Sequence, residues 1–256
     1  MPERNLKLTI AYDGTRFVGW QRQLEGESIQ GLLEEALSSI EGGPVTVHGA
    51  GRTDAGVHAL GQVASAAVTF SHDAQTLLRA LNAQLPSEIR VIRLEDVGRE
   101  FHARFGATRK TYRYLICHDP VIPPFHRAFA WHLPEPLDLV SMQDAARLLI
   151  GTHDFGAFRS TGTPVRTTVR TLSDSRFQRY AADLALAPDL SHLAYEITGD
   201  GFLRHMVRAI VGTLVDVGRR RRSPDSIALL LENAGRADAG PTAPAHGLFL
   251  VRVDYD

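Results

Sequence analysis

One cysteine, Cys117, stands among 256 residues. A disulfide within the chain is excluded, and so is a cysteine-rich zinc site. Lysine is almost as scarce. Lys and Arg together number 28, yet only Lys7 and Lys110 are lysines. No apolar run approaches the eighteen or so residues of a membrane span. The opening "MPERNLKLTI" has neither the apolar segment nor the small-residue cleavage site of a signal peptide. GxGxxG, GK[ST] and HExxH are all absent, which removes the usual dinucleotide, P-loop and zincin signatures. The expectation is a cytoplasmic protein without a membrane span.

What is present is ordinary in bulk. The hydrophobic fraction of 44% and charged fraction of 22% suit a globular protein with one large or two small cores. The net charge of −1 argues against a blanket electrostatic grip on nucleic acid. Residues 1–105 carry 10 basic against 13 acidic side chains, residues 106–256 carry 18 against 16, and these sum to that total. Basic residues nevertheless cluster: Arg99, Arg104, Arg109, Lys110 and Arg113, then Arg204, Arg208 and the run Arg219 to Arg222. Arginine favours bidentate phosphate contact and stacking on bases. A local patch can bind RNA on a nearly neutral protein, although a run of arginines is more often a solvated face.

Periodicity divides the chain into two halves of similar order, 1–105 and 106–256. "LKLTIAYDG" reads as a strand, "SIQGLLEEALSSI" as a helix with Ser28 as N-cap, "PVTVHGA" and "GQVASAAVTF" as strands, "HDAQTLLRALNAQL" as a helix stopped near Pro86, and "EIRVIRLEDV" as a strand. The second half gives strand "TYRYLICHD", helix "LVSMQDAARLLIG" ending at Gly151, strands "VRTLSDSRFQR" and "HLAYEITGD", helix "FLRHMVRAIVGTLVDVG" and strand "GLFLVRVDY". Phe202, Met206, Ile210 and Leu214 recur at helical spacing and read as core. Strand, helix, two strands, helix, strand is a split βαβ. The fold class is therefore α+β: two ferredoxin-like halves with antiparallel-rich sheets and helices packed on one side.

The join between two strands of the first half carries the densest chemistry, "HGAGRTDAGVHALGQVAS" from 48 to 65. A tight turn capped by Thr53 or Asp54 is one reading. A phosphate cradle is another, but the segment that follows reads as a strand where a helix is needed. His48, Asp54 and His58 lack metal-ligand spacing. Arg52 and Asp54 lie two apart and point the same way in an extended segment. A guanidinium beside the carboxylate keeps it ionised, and flanking glycines admit a bulky ligand. An ionised, accessible carboxylate suits a nucleophile or a general base.

"GRTDAGVHALGQVA" closely resembles the catalytic segment of the TruA family of tRNA pseudouridine synthases. "YDGTRFVGWQRQ", "LNAQLPSEIRV", "FHARFGATRKTYRY", "GTHDFGAF", "GFLRHMVRAIVGTLVDVG" and "PTAPAHGLFLVRVDY" follow in that family's order. Phe249 departs from it, where tyrosine is common. The resemblance implies a pseudouridine synthase-like fold and isomerisation of uridine to pseudouridine at positions 38, 39 or 40 of the tRNA anticodon stem-loop, with the base flipped out. It implies a homodimer with tRNA as partner, and no cofactor or metal. It puts the nucleophile on Asp54 and the base-stacking tyrosine, which also helps remove the C5 proton, on Tyr112. Arg52 and Arg208 become ion-pair partners of Asp54, and Leu248 walls the pocket. Arg204 and His205 are expected at the cleft's rim. Arg22, Arg79, Arg109, Lys110 and the Arg219 to Arg222 run are candidate phosphate contacts from charge alone. The alternative from another class is a non-catalytic tRNA-binding or chaperone module.

Overall fold

The structure, a computed structural model, describes residues 3–160, 162, 165–181, 191–232 and 235–256. In chain order its elements are β1 (Arg4–Tyr12), α1 (Ile29–Glu41), β2 (His48–Gly49), β3 (His58–Val68), α2 (Ala74–Gln84), β4 (Ile89–Val97), β5 (Ala107–Cys117), β6 (Trp131–His132), α3 (Leu139–Arg147), β7 (Gly151–Asp154), β8 (Val169–Ala181), β9 (Ser191–Gly199), α4 (Met206–Gly218), α5 (Ser226–Glu232) and β10 (Leu248–Tyr255). The class is α+β with mostly antiparallel pairing. Backbone contacts group Met1–Thr108 with Phe249–Asp256 in one unit and Arg109–Leu248 in another. The sequence reading gives the last strand to the second half, whereas its residues from Phe249 onward group with the first unit.

In the first unit the strand order is β4-β1-β3-β10, with β2 also on β3. β1 is antiparallel to both β3 and β4. β10 joins parallel, with Phe249 opposite His58. Along β1, Leu6, Leu8, Ile10 and Tyr12 are buried and alternate with half-exposed neighbours, the period-two pattern of a sheet with one covered face. Ile29, Leu33 and Leu37 of α1 and Leu77 and Leu81 of α2 are buried. Burying each such side chain contributes about 1.5–3 kcal/mol. The Ser28 hydroxyl accepts the Gly31 amide at 3.1 Å, so the expected N-cap forms. β2 is much shorter than "PVTVHGA" suggests. Instead of continuing a ladder, the Val45 and Val47 amides donate to side chains of α1, Ser38 and Glu34.

In the second unit the order is β5-β9-β8-β7, with β6 on β5. Tyr114, Ile116, Tyr195 and Ile197 are buried in its core, and the Ser175 and Tyr195 hydroxyls bond at 2.7 Å. α3 packs on α4 and β8. It stops at Arg147, four residues short of the expected Gly151. Gly151 opens β7 instead, at a φ of 120° that a side chain would resist. α4 is apolar nearly all round and buried nearly all round. It starts at Met206 because His205, the residue before it, adopts a left-handed φ of 62°. Phe202 therefore precedes the helix, while Met206, Ile210 and Leu214 are core as expected.

Candidate active site

The loop that carries Arg52 and Asp54 is held at its middle residue. Thr53 is buried, with Arg52 exposed on one side of it and Asp54 half-buried on the other. The Thr53 carbonyl accepts the Trp20 amide at 3.0 Å. Its hydroxyl meets the buried Tyr12 hydroxyl at 2.8 Å, so it serves the core and does not cap the loop. Gln62 donates to the Gly51 carbonyl at 2.9 Å, and the Val57 amide closes a turn on the Asp54 carbonyl at 3.1 Å. Burial pushes the Tyr12 phenol up to about 12, against its bonds to Thr53 and Gln62, so it stays protonated as a fixed anchor.

Two glycines let another segment press against this loop. A Cβ on Gly14 would stand 2.0 Å from the Val57 carbonyl oxygen, and one on Gly19, whose φ is 109°, 2.7 Å from that of Thr53. "YDGTRFVGW" is thus the loop's bed. Trp20 is a core anchor, 3% exposed, with its indole where a Cβ on Gly49 would lie. His58 is buried, accepts the Gly14 amide at 3.0 Å and stacks on Phe249 at 4.8 Å. Among the described residues no group of three or more His, Cys, Asp or Glu gathers to hold a metal ion. Arg52 is exposed, on the other side of buried Thr53 from half-buried Asp54.

The second unit assembles its own candidates. Tyr112 is 7% exposed on β5, opposite Ile197 of β9, with the Phe202 ring edge-on at 5.0 Å. Phe202 reaches that position because the chain leaves β9 in a loop before α4. Arg208 lies half-buried on α4. Its Nε donates to the Ala243 carbonyl at 2.8 Å, and the Ala243 amide donates to the Arg208 carbonyl at 3.0 Å. This reciprocal pair fixes the guanidinium's stem. Nearby, Tyr114 gives its hydroxyl to the Pro244 carbonyl at 2.8 Å. Burial drives its ionisation far up, and the Arg208 charge only partly opposes this. His246 has its pKa lowered by burial and by Arg208, so it rests neutral beside that cation. Leu248 is buried, Arg204 and Arg109 are exposed, and His205 and Lys110 are half-buried. Ala243 and His246 are not named in the sequence reading, which gives Thr53 a turn-capping role and Phe202 a place in the helix instead of those seen here.

The basic run resolves differently from its appearance in sequence. Arg219 donates to Glu135 at 2.7 Å, Arg220 pairs with Asp138 at 3.3 Å, and Arg221 and Arg222 lie 3.8 and 3.9 Å from Asp216. Arg22 pairs with Glu34 at 3.0 Å. Arg109 has no ion pair among the described residues.

A family model described as tRNA pseudouridine synthase matches residues 8–106 and 145–256. Asp54 falls in the first stretch, and Arg208 and Leu248 in the second. The tRNA pseudouridine synthase A of Methylacidiphilum infernorum is 46% identical over 250 residues, 97% of this chain and 94% of that one. The tRNA pseudouridine synthase A of Moorella thermoacetica is 43% identical over 252 residues, 98% and 99% of the two chains. That of Syntrophotalea carbinolica is 44% identical over 250 residues, 98% and 96%. Tyr112 lies between the two stretches of the family model, but these relatives run almost end to end. The chain belongs to the tRNA pseudouridine synthase family.

Proposed function

We propose that this protein converts uridine to pseudouridine at positions 38, 39 and 40 of the tRNA anticodon stem-loop, with Asp54 as nucleophile. The target base leaves its stack, which costs a few kcal/mol that contacts to the flipped base offset. The Asp54 carboxylate bonds to the nucleotide, at C1′ of the ribose or C6 of the uracil. The N1–C1′ bond breaks, the uracil turns, C5 bonds to C1′, the bond to Asp54 is broken so that its carboxylate is regenerated, the C5 proton leaves and N1 gains one. Nothing is oxidised or reduced, so the reaction calls for no cofactor.

Tyr112 stacks on the uracil and helps take the C5 proton, and Leu248 walls the pocket. Arg208 has the role of the cation that keeps the Asp54 carboxylate ionised. Arg52, solvent-directed beside Asp54, swings onto the carboxylate or onto a phosphate of the flipped nucleotide once RNA is bound. Arg109, Lys110, Arg204 and His205 contact the RNA around it. The enzyme acts in the cytoplasm as a homodimer.

The observation that carries this reading is the clamp at Thr53. It leaves Asp54 half-buried on a loop pinned from both sides, a geometry that costs nothing further to organise when the base arrives. The test is Asp54→Asn with unmodified tRNA transcript. Pseudouridine, read by carbodiimide adducts, is lost while tRNA affinity stays within about two-fold. Full activity in this variant removes Asp54 from the chemistry. A wild-type chain that binds tRNA and makes no pseudouridine leaves the chaperone reading.

A further inference from the structure

Two cations of the first unit flank an aromatic run that the proposed chemistry does not use. The His48 and His102 rings lie 5.1 Å apart at 31°, and His102 and Phe105 lie 4.4 Å apart at 37°. The Arg104 guanidinium sits over Phe105 at 5.7 Å. The turn is rigid. The Gly106 amide donates to the His102 carbonyl at 2.9 Å, and the Arg104 and Phe105 amides both reach the His102 Nδ1, at 3.1 and 3.3 Å. An accepting Nδ1 keeps this imidazole neutral. Burial and the neighbouring His48 lower its pKa in the same sense.

Phe105 is 78% exposed at the tip of this turn. Beside it opens a groove of about 330 Å³, lined by Asn5, His48, Arg99, Phe101 and His102, with Glu3 among its walls. Arg99 and Arg104 are exposed and have no ion pair among the described residues, unlike Arg4, Arg16, Arg22 and Arg93 of the same unit. An exposed aromatic on a fixed turn beside arginines that have no carboxylate partner among the described residues matches the chemistry of an unstacked base and its phosphates. A stable protein interface needs a broader apolar centre and fewer charges at its middle.

We propose that the His102–Gly106 turn is a second RNA contact, at which an unpaired base stacks on Phe105 while flanking phosphates pair with Arg99 and Arg104. This rests on the reading of tRNA as substrate and names a further point of contact on it. Base–aromatic stacking is worth about five-fold or more in affinity per base. Each released phosphate contact removes a little under one unit of slope in a plot of log affinity against log salt.

The experiment measures binding of fluorescently labelled, unmodified tRNA transcript by anisotropy across a salt series, with a blunt RNA duplex of equal length alongside. Phe105→Ala should weaken tRNA binding about five-fold or more and leave the duplex unchanged, with Phe105→Trp restoring it. Arg99→Ala with Arg104→Ala should flatten the salt slope by about 1.5. Unchanged affinity and slope in these variants overturn the proposal. So does a shift in oligomeric state by light scattering in Phe105→Ala, which would assign the turn to a second copy of the chain. Pseudouridine formation at saturating tRNA separates the two readings. If the wild-type chain forms none, the isomerase assignment fails while a Phe105 binding defect still stands.

Discussion

Replacing Thr53 by valine tests how the Asp54 loop is held. The change removes a hydroxyl whose partner is that of Tyr12, a residue 4% exposed, which among the described residues has otherwise only the Gln62 amide at 3.5 Å. A contact that long compensates poorly. Leaving a buried hydroxyl unmet costs about 1–3 kcal/mol. Tyr12→Phe orphans the Thr53 hydroxyl, 7% exposed, and costs about the same. The double variant removes both hydroxyls with little change of shape and should cost less than either single change. A double-mutant cycle on urea midpoints should therefore return a coupling larger than either single loss, about 1–3 kcal/mol or more. The backbone bond from Trp20 to Thr53 survives in all three chains, so the loop keeps its path but loses its lateral stop. Displacing a nucleophile by 1 Å costs about 100-fold in rate. A partial displacement in Thr53→Val should lower kcat by about ten-fold with KM nearly unchanged. Additive losses in the cycle, or a kcat that ignores Thr53→Val while stability falls, would refute the clamp.

Two other outcomes follow from packing and burial. Gly212→Ala should destabilise the chain despite alanine's helix propensity, because the new Cβ would stand 1.7 Å from the Pro241 carbonyl oxygen. Relief must move the segment that holds Arg208 through Ala243, so overpacking of about 1–3 kcal/mol should come with lost kcat, read by urea unfolding and product formation. Stability should also fall in mild acid. Buried His192 stacks on buried His126 at 5.1 Å, and His126 Nε2 and His192 Nδ1 have no hydrogen-bond partner among the described residues. Burial and His126 hold the His192 pKa below 6.5, with Asp119 opposing and His118 reinforcing. Between the folded and unfolded values the unfolded chain binds a proton that the folded chain refuses. Stability is thus full above about 6.5 and declines as the pH drops through it. His102 and His246, also lowered, act in the same direction. His192→Phe should flatten the urea midpoint between pH 7 and 5, and a slope equal to wild type would exclude the pair as its source.

What the sequence makes legible is what a few neighbouring residues decide. The Ser28 cap, the alternation along β1 and the apolar stripe of α4 each depend on positions two to four apart. α4 still begins later than its stripe, because His205 takes a left-handed φ that no periodicity announces. β10 reads correctly as a strand, yet its grouping with the first unit depends on pairing with β3, far away in sequence. The candidate active-site segment is visible through its glycines and charges, but its anchor is not. Thr53 and Tyr12 are 41 residues apart, and nothing local distinguishes a threonine that bonds across a core from one that caps its own turn. Charge was the least legible feature. The Arg219 to Arg222 run is the strongest basic signal in the chain, but while Asp216 is local to Arg221 and Arg222, the carboxylates of Arg219 and Arg220 are far away in sequence, with Glu135 84 residues from Arg219. Arg99 and Arg104 look modest in sequence, flanked by Glu100, yet no carboxylate among the described residues pairs with either. A cation's availability to phosphate is set by which acids the fold brings to it. Uncommitted arginines beside exposed aromatics are therefore better candidates for RNA contact than the densest basic run.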